Sequence, residues 1–186
     1  MLERMAMTTV GRASAFGDWT QSEAKDVAIA ERRGLAVIEL AAYGRGEAAR
    51  SALSRALGIQ LPGAGASTEA GGVAALSVGP GRWLLVGDEA AINSLPTPSD
   101  DEAAVIDLTG GRSVLTLTGR NAVRTLIKGT AVDLDPAIFG AGSVAATALA
   151  RVAVVIWRWG DHYDVIVPRS YAVFLRDWLI EAGSAG

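Results

Sequence analysis

The sequence predicts an α+β fold of two pseudo-repeated halves, each an antiparallel sheet with helices on one face. Three observations predict it. A strand–helix–hairpin–helix order occurs twice along the chain. The helix endings "RALGIQLP" and "LIKGTAVDLDP" look alike, as do the joints "GRWLLVGDEAAINSL" and "DHYDVIVPRSYAVFL". Gly-rich turns tie neighbouring β-favouring runs into hairpins. The expected organisation is an N-terminal arm over residues 1–26, a first half over 27–99 and a second over 100–186, packed as one compact unit.

The elements follow in order. Residues 1–26 are weakly patterned and read as a loose arm. "GLAVIELAA" reads as a strand. In "GEAARSALSRALG", Ala49, Leu53, Ala56 and Leu57 recur at helical spacing, with Gly58 as the C-terminal cap. "LPGAGASTEAGG" reads as an exposed loop. "VAALSVGPGRWLLVG" reads as a hairpin turning at Gly79, Pro80 and Gly81, "DEAAINSL" as a short helix and "PTPSDDE" as a linker. The second half begins with "AAVIDLTGGRSVLTLTG", a hairpin turning at Gly110 and Gly111. "RNAVRTLIKG" follows as a helix with Ala122, Val123, Leu126 and Ile127 on one face. "VAATALARVAVVIWRWGDHYDVIVP" reads as extended pairs. The final helix, "SYAVFLRDWLIEAG", has Ser170 as its N-cap and an apolar stripe of Tyr171, Phe174, Leu175, Trp178 and Leu179.

Composition excludes several classes of chemistry. The 186 residues are 50% hydrophobic and 20% charged, which is the make-up of a core-rich folded chain. Net charge is −3, with no basic cluster to attract nucleic acid. There is no cysteine, so disulfides, thiolate–metal sites and cysteine nucleophiles are excluded. One histidine cannot build a His-rich metal site. The acidic run Asp100, Asp101 and Glu102 lies beside two prolines and reads as a solvated loop. No apolar run approaches the ~18 residues of a membrane span. The N-terminus lacks the apolar stretch of a secretory signal, so the expected location is the cytoplasm.

The candidate chemistry is thin. His162, the lone histidine, sits between two β-rich runs beside Gly160 and Asp161, which is turn chemistry. A solvated imidazole with nothing to orient it makes no catalytic relay. Gly44, Gly46 and Ala49 fit G-x-G-x-x-[GA] after a strand, the pattern of a dinucleotide loop. A Gly-Pro-Gly hairpin follows where a second β-α-β unit is required. "PGAGASTEAGG" lacks the Lys-Ser/Thr ending of a phosphate loop. Arg112 and Arg169 could clamp a small anion or pair at the surface. Asp133 and Asp135 read as a turn anchored by Leu134. Trp157 and Trp159 share one face of a strand, open to either core packing or an exposed aromatic patch. No catalytic, cofactor-binding or metal-ligating residue is therefore assigned, and a binding or structural subunit is expected.

The second half also carries a resemblance. "DLTGGRSVLTLTG", "KGTAVDL", "SVAATAL" and "VPRSYAVFLRDWL" together resemble the gamma subunit of heterotetrameric sarcosine oxidase, which is in turn similar to the folate-binding region of glycine cleavage aminomethyltransferases. The resemblance implies an aminomethyltransferase-like α+β fold and a non-catalytic chain beside alpha, beta and delta subunits, alpha in direct contact. It implies that FAD, FMN, NAD and tetrahydrofolate are held by the partner subunits and none by this chain. Sequence departures are Thr130 and Ala131 where the family often has Cys-Pro, and Ala146 where a glutamine is expected. "KGT" also lacks the Lys-Gly-Cys signature of the related iron–sulfur cluster maintenance proteins. The alternative is a free-standing folate-binding protein or one-carbon transferase.

Overall fold

A computed structural model describes residues 13–185. Eleven strands and four helices are assigned among them. In chain order they are β1 (Gln21–Ala24), β2 (Val27–Glu31), β3 (Leu35–Ala42), α1 (Gly46–Leu57), β4 (Ser67–Ala70), β5 (Val73–Gly79), β6 (Arg82–Asp88) and α2 (Glu89–Asn93). Then follow β7 (Ala103–Asp107), β8 (Arg112–Thr118), α3 (Ala122–Leu126), β9 (Val144–Leu149), β10 (Val152–Trp159), β11 (His162–Pro168) and α4 (Ala172–Ser184).

The strands make two fully antiparallel sheets, ordered β4-β5-β6-β3-β7 and β1-β2-β8-β11-β10-β9. The repeat is real: β3-α1-β4-β5-β6-α2 and β8-α3-β9-β10-β11-α4 trace the same path.

Period-2 alternation divides the core into layers. In β5 and β6, Val73, Ala75, Trp83 and Leu85 face α1 and α2, burying Leu53 and Leu57. Their neighbours Ala74, Leu76, Leu84 and Val86 face the other sheet and meet Val114, Val144, Trp157 and Ile166. On the far side, Leu115, Leu117, Val165 and Val167 pack against Leu126 of α3 and Leu175 and Leu179 of α4. The result is a helix–sheet–sheet–helix stack. Most buried aliphatic positions hold a large side chain, each contributing about 1.5–3 kcal/mol.

The lobes exchange strands. β2 precedes β3 in the chain but pairs with β8; β7 precedes β8 but pairs with β3. "AAVIDLTGGRSVLTLTG" is therefore not a hairpin: its two strands lie in different sheets, joined by a 3-10 turn over Thr109–Gly111. Two Gly residues there serve a crossover between layers, a role local pattern cannot distinguish from a tight reversal.

Other differences have local causes. Residues 1–12 of the expected arm lie outside the described residues. Its remainder is packed: Phe16 is buried, Ser14 donates to Glu31 at 2.8 Å, and β1 extends the second sheet. The loop at 61–72 contains β4, whose small polar residues hide a strand signal. α3 is shorter than expected, and Ile127 is 49% exposed beyond its end. α4 starts after a 3-10 turn, Arg169–Tyr171, and Ser170 makes no capping bond. Its buried face is Ala172, Leu175, Leu179, Ala182 and Gly183, which turns Tyr171 and Phe174 to solvent. The cap of α1 is as expected, with Gly58 left-handed (φ 69°) and its N–H donating to Arg55 O at 3.3 Å.

The exchange makes each sheet depend on both halves. Fragments 27–99 and 100–186, expressed separately, are expected to show no cooperative thermal transition. Mixed, they are expected to regain one, followed by far-UV circular dichroism. A cooperative transition in either fragment alone would contradict this.

Candidate functional site

The two sheets face each other, and the space between them opens at both ends. At one end lies an open cleft of about 1090 Å³, walled by the β3–α1 loop, the β5–β6 turn, residues 62–65 and part of β9. Gly44, Gly46 and Ala49, the suspected dinucleotide pattern, line it. The strands beside that loop are antiparallel, β3 against β6 and β7, so the β-α-β frame of a dinucleotide site is missing. Small residues are needed here for packing: a Cβ on Gly44 would meet the Ala49 Cβ at 2.9 Å.

Two charge pairs stand at the cleft, and Arg45 lines it without an ion pair among the described residues. Arg82 Nε donates to Glu39 Oε1 at 2.8 Å, and Glu39 is almost buried between the sheets. Arg50 pairs with Glu47 across one turn of α1. Ser77 lies at the cleft, but no histidine or carboxylate is given as its hydrogen-bond partner. Nothing here couples a nucleophile to a base.

At the opposite end, Arg32, in the link from β2 to β3, lines a small pocket of about 230 Å³. Its guanidinium stacks 4.4 Å from the Trp159 ring centroid and 5.9 Å from that of Trp157. It also donates to Asp164 at 2.5 Å; that carboxylate is 1% exposed and accepts a second bond from Thr116. Trp157 is buried, stacked on Trp159 at 5.8 Å, and its Nε1–H donates to Ser67 of the other sheet at 3.0 Å. Of the two readings of this tryptophan pair, Trp157 is core and Trp159 is the half-exposed lid. Asp164, the central polar group of the interface, carried no motif in the sequence. Its signal was a single acid inside the apolar run "YDVIVP".

The other candidates resolve as structure. His162 closes the β10–β11 hairpin opposite Trp159, edge-on to that ring at 4.8 Å, with Gly160 left-handed in the turn. Asp133 and Asp135 accept from the backbone N–H groups of Asp135 and Ala137, and Leu134 is fully buried. Arg112 pairs in register with Pro168, bringing it beside exposed Arg169 at the end of one sheet. Burial pushes the Tyr163 phenol above the usual tyrosine range, with Arg158 opposing the shift. Thr130, at the family's Cys position, hydrogen-bonds the Thr147 hydroxyl at 3.4 Å and accepts from Val132 N–H at 3.3 Å. Ala146 lines the cleft. Among the described residues no group of three or more His, Cys, Asp or Glu could hold a metal ion, and no helix is long and apolar enough to cross a membrane.

Fold and site together define a two-lobed α+β protein with an aminomethyltransferase folate-binding-like fold, whose buried carboxylates are each met by an arginine. The family model described as "Sarcosine oxidase, gamma subunit family" matches residues 44–185, and the chain belongs to that family. Relatives include the sarcosine oxidase gamma subunit of Corynebacterium sp. (strain U-96), 36% identical over 145 residues, covering 75% of this chain and 71% of that protein. The gamma subunit of an Arthrobacter species is 36% identical over 149 residues, covering 74% and 70%. Among solved structures, a chain of heterotetrameric sarcosine oxidase from Corynebacterium sp. U-96, in complex with pyrrole 2-carboxylate, matches with TM-score 0.72 and 29% identity. The match covers 89% of each chain. Aminomethyltransferase T of the Bartonella henselae glycine cleavage system shares the fold, with TM-score 0.57, 19% identity, and coverage of 84% of this chain and 46% of that one. The resemblance seen in the second half thus extends over most of the chain.

Removing Arg32 leaves the Asp164 carboxylate buried without its cation. Arg32→Ala is expected to cost about 3 kcal/mol in denaturant unfolding. The double change Arg32→Leu, Asp164→Leu is expected to recover most of that loss, because leucines, Leu108 and Leu84, hold the two equivalent positions in the other lobe, beside the buried Glu39. A double variant as unstable as the single one would show that the pair does more than satisfy its own charges.

Proposed function

We propose that this chain is the non-catalytic gamma subunit of a heterotetrameric sarcosine oxidase. In this reading it supports oxidative demethylation of sarcosine to glycine by alpha and beta subunits. FAD, FMN, NAD and tetrahydrofolate belong to those partners, and alpha is the neighbour in direct contact. The observation that carries the reading is the match to a chain of that enzyme over 89% of this chain in fold, together with the family match over residues 44–185.

The chemistry of the two openings supports it. Among the described residues the large cleft holds no nucleophile–base couple, and the second opening is filled by Arg32 stacked on tryptophan. Such a molecule can present surface to partners, while the reacting groups come from elsewhere.

The test is assembly and activity together. Co-expressed with alpha, beta and delta chains, this subunit is expected to co-purify with them at equal stoichiometry, and the complex to oxidise sarcosine. Alone it is expected to oxidise none, and to leave tetrahydrofolate fluorescence unchanged on titration. Tight tetrahydrofolate binding by the lone chain would favour a free-standing folate protein instead.

A further inference from the structure

The two lobes are alike enough that their differences are informative. In the second sheet, exchanged strand β2 is flanked on its outer side by β1. In the first sheet, exchanged strand β7 occupies the equivalent place and is the outermost strand. β2 is well covered, with Val27 2% and Ile29 0% exposed. Val105 and Ile106 of β7 are 46% and 45% exposed. They point to opposite faces of the sheet, so the edge is aliphatic on both sides.

The backbone of that edge is also open. Tyr43 N–H donates to Glu102 O and Leu108 N–H to Val37 O. In an antiparallel ladder the bonding direction alternates, so residues 102, 104, 106 and 108 bond inward to β3. Val105 therefore turns its N–H and C=O outward. An aliphatic edge is an aggregation hazard that proteins cover or charge, and between Ala103 and Ile106 β7 carries no charge, proline or bulge; its one charged residue, Asp107, stands at the end of the strand.

We propose that β7 is completed by strand addition: an extended segment of another subunit of the assembly pairs antiparallel to it, as β1 pairs with β2. This rests on the gamma-subunit reading. The charges at the two ends describe the segment. Asp100, Asp101 and Glu102 precede β7. At its other end the Asp107 carboxylate is already engaged, accepting from Thr109 N–H, and the turn Thr109–Gly111 beyond it packs against Arg169–Tyr171 and leads to Arg112, so the charges past the strand are basic. An antiparallel segment therefore carries an acidic residue before, and a basic residue after, four or five alternating residues with aliphatic side chains. Tyr171, 52% exposed, extends the apolar surface at the basic end.

Hydrogen exchange read by mass spectrometry tests this on the full-length chain, alone and in the assembled complex. The Val105 amide is expected to exchange at least roughly tenfold more slowly in the complex. Val105→Pro removes an outward N–H that makes no ladder bond. It is expected to leave the melting temperature of the lone chain unchanged while weakening assembly roughly tenfold. Ile106→Lys is expected to weaken assembly likewise. A complex that forms normally with unprotected β7 amides overturns the strand addition and leaves the gamma-subunit reading intact. Protection that appears in the lone chain with rising concentration means a second copy covers the edge, and also overturns it. A chain that assembles with no partner overturns both.

Discussion

The reciprocal seam between the two sheets is the constraint on which the rest depends. Ser67 N–H donates to Gly142 O at 2.8 Å, and Val144 N–H donates to Gly65 O at 2.9 Å. These are the same bond made twice about a local two-fold axis, and an isolated bridge, Ala66 to Ser143, lies between them. Both glycines are left-handed, φ 72° and 83°, a conformation other residues adopt only under strain. The exchanged strands repeat the logic on a larger scale, each lobe supplying the strand that widens the other's sheet. Neither lobe is a complete domain, so the sheet–sheet core forms only when both are present. That couples residues far apart in sequence and makes folding a single long-range event.

The same seam explains where charge is tolerated. A group between two sheets is desolvated, and an unpaired charge there is costly. Asp164 is met by Arg32 and Thr116, and Glu39 by Arg82. Each partner reaches in from the rim of the interface, where part of its side chain stays in water. Each opening of the intersheet space is thus bordered by a guanidinium group engaged with one of the protein's own carboxylates, Arg82 with Glu39 at one end and Arg32 with Asp164 at the other.

Much of the fold was legible because the lobes obey local rules. The left-handed Gly58 cap, the Gly79–Pro80–Gly81 turn, and the helix signals of α1 and α4 are short-range features, and each appears as read. The exchange was not legible, since β7 followed by Gly-Gly and β8 has the pattern of a hairpin whichever sheet each strand joins. One overlooked sign was in plain view: "GAGA" at 63–66 and "GAGS" at 140–143 are the seam itself, repeated at matching places. The face of α4 was misread because Tyr171 and Phe174 are apolar by composition, while the helix buries its small residues. Gly183 lies so close to β2 that a Cβ would come within 2.8 Å of Val27. Of the site, the absence of an assigned reactive group rested on composition. Arg32 with Asp164 had no motif, because the two are separated by most of the chain and meet only through the exchange.

Duplication also accounts for the way the two lobes differ. Equal lobes about a two-fold axis would present equal surfaces, and a partner could not tell one from the other. The chain breaks that equality by substitution at equivalent places. An ion pair replaces the leucines at one end of the seam, and β1 lengthens one sheet but not the other. Lys128 at the end of α3 donates to the carbonyl of Ala182 at 2.6 Å in the last turn of α4, fixing the C-terminal helix against its lobe. α2 is a five-residue helix where α4 has thirteen residues, so the first lobe carries the shorter helix at this position. The lobes therefore differ at the sheet edge, in the outer helix and at the Arg32–Asp164 position, while the paired backbone bonds of Gly65 with Val144 and Ser67 with Gly142 stay symmetric. That is the distribution expected when the duplicated core serves stability and the divergent rim serves recognition.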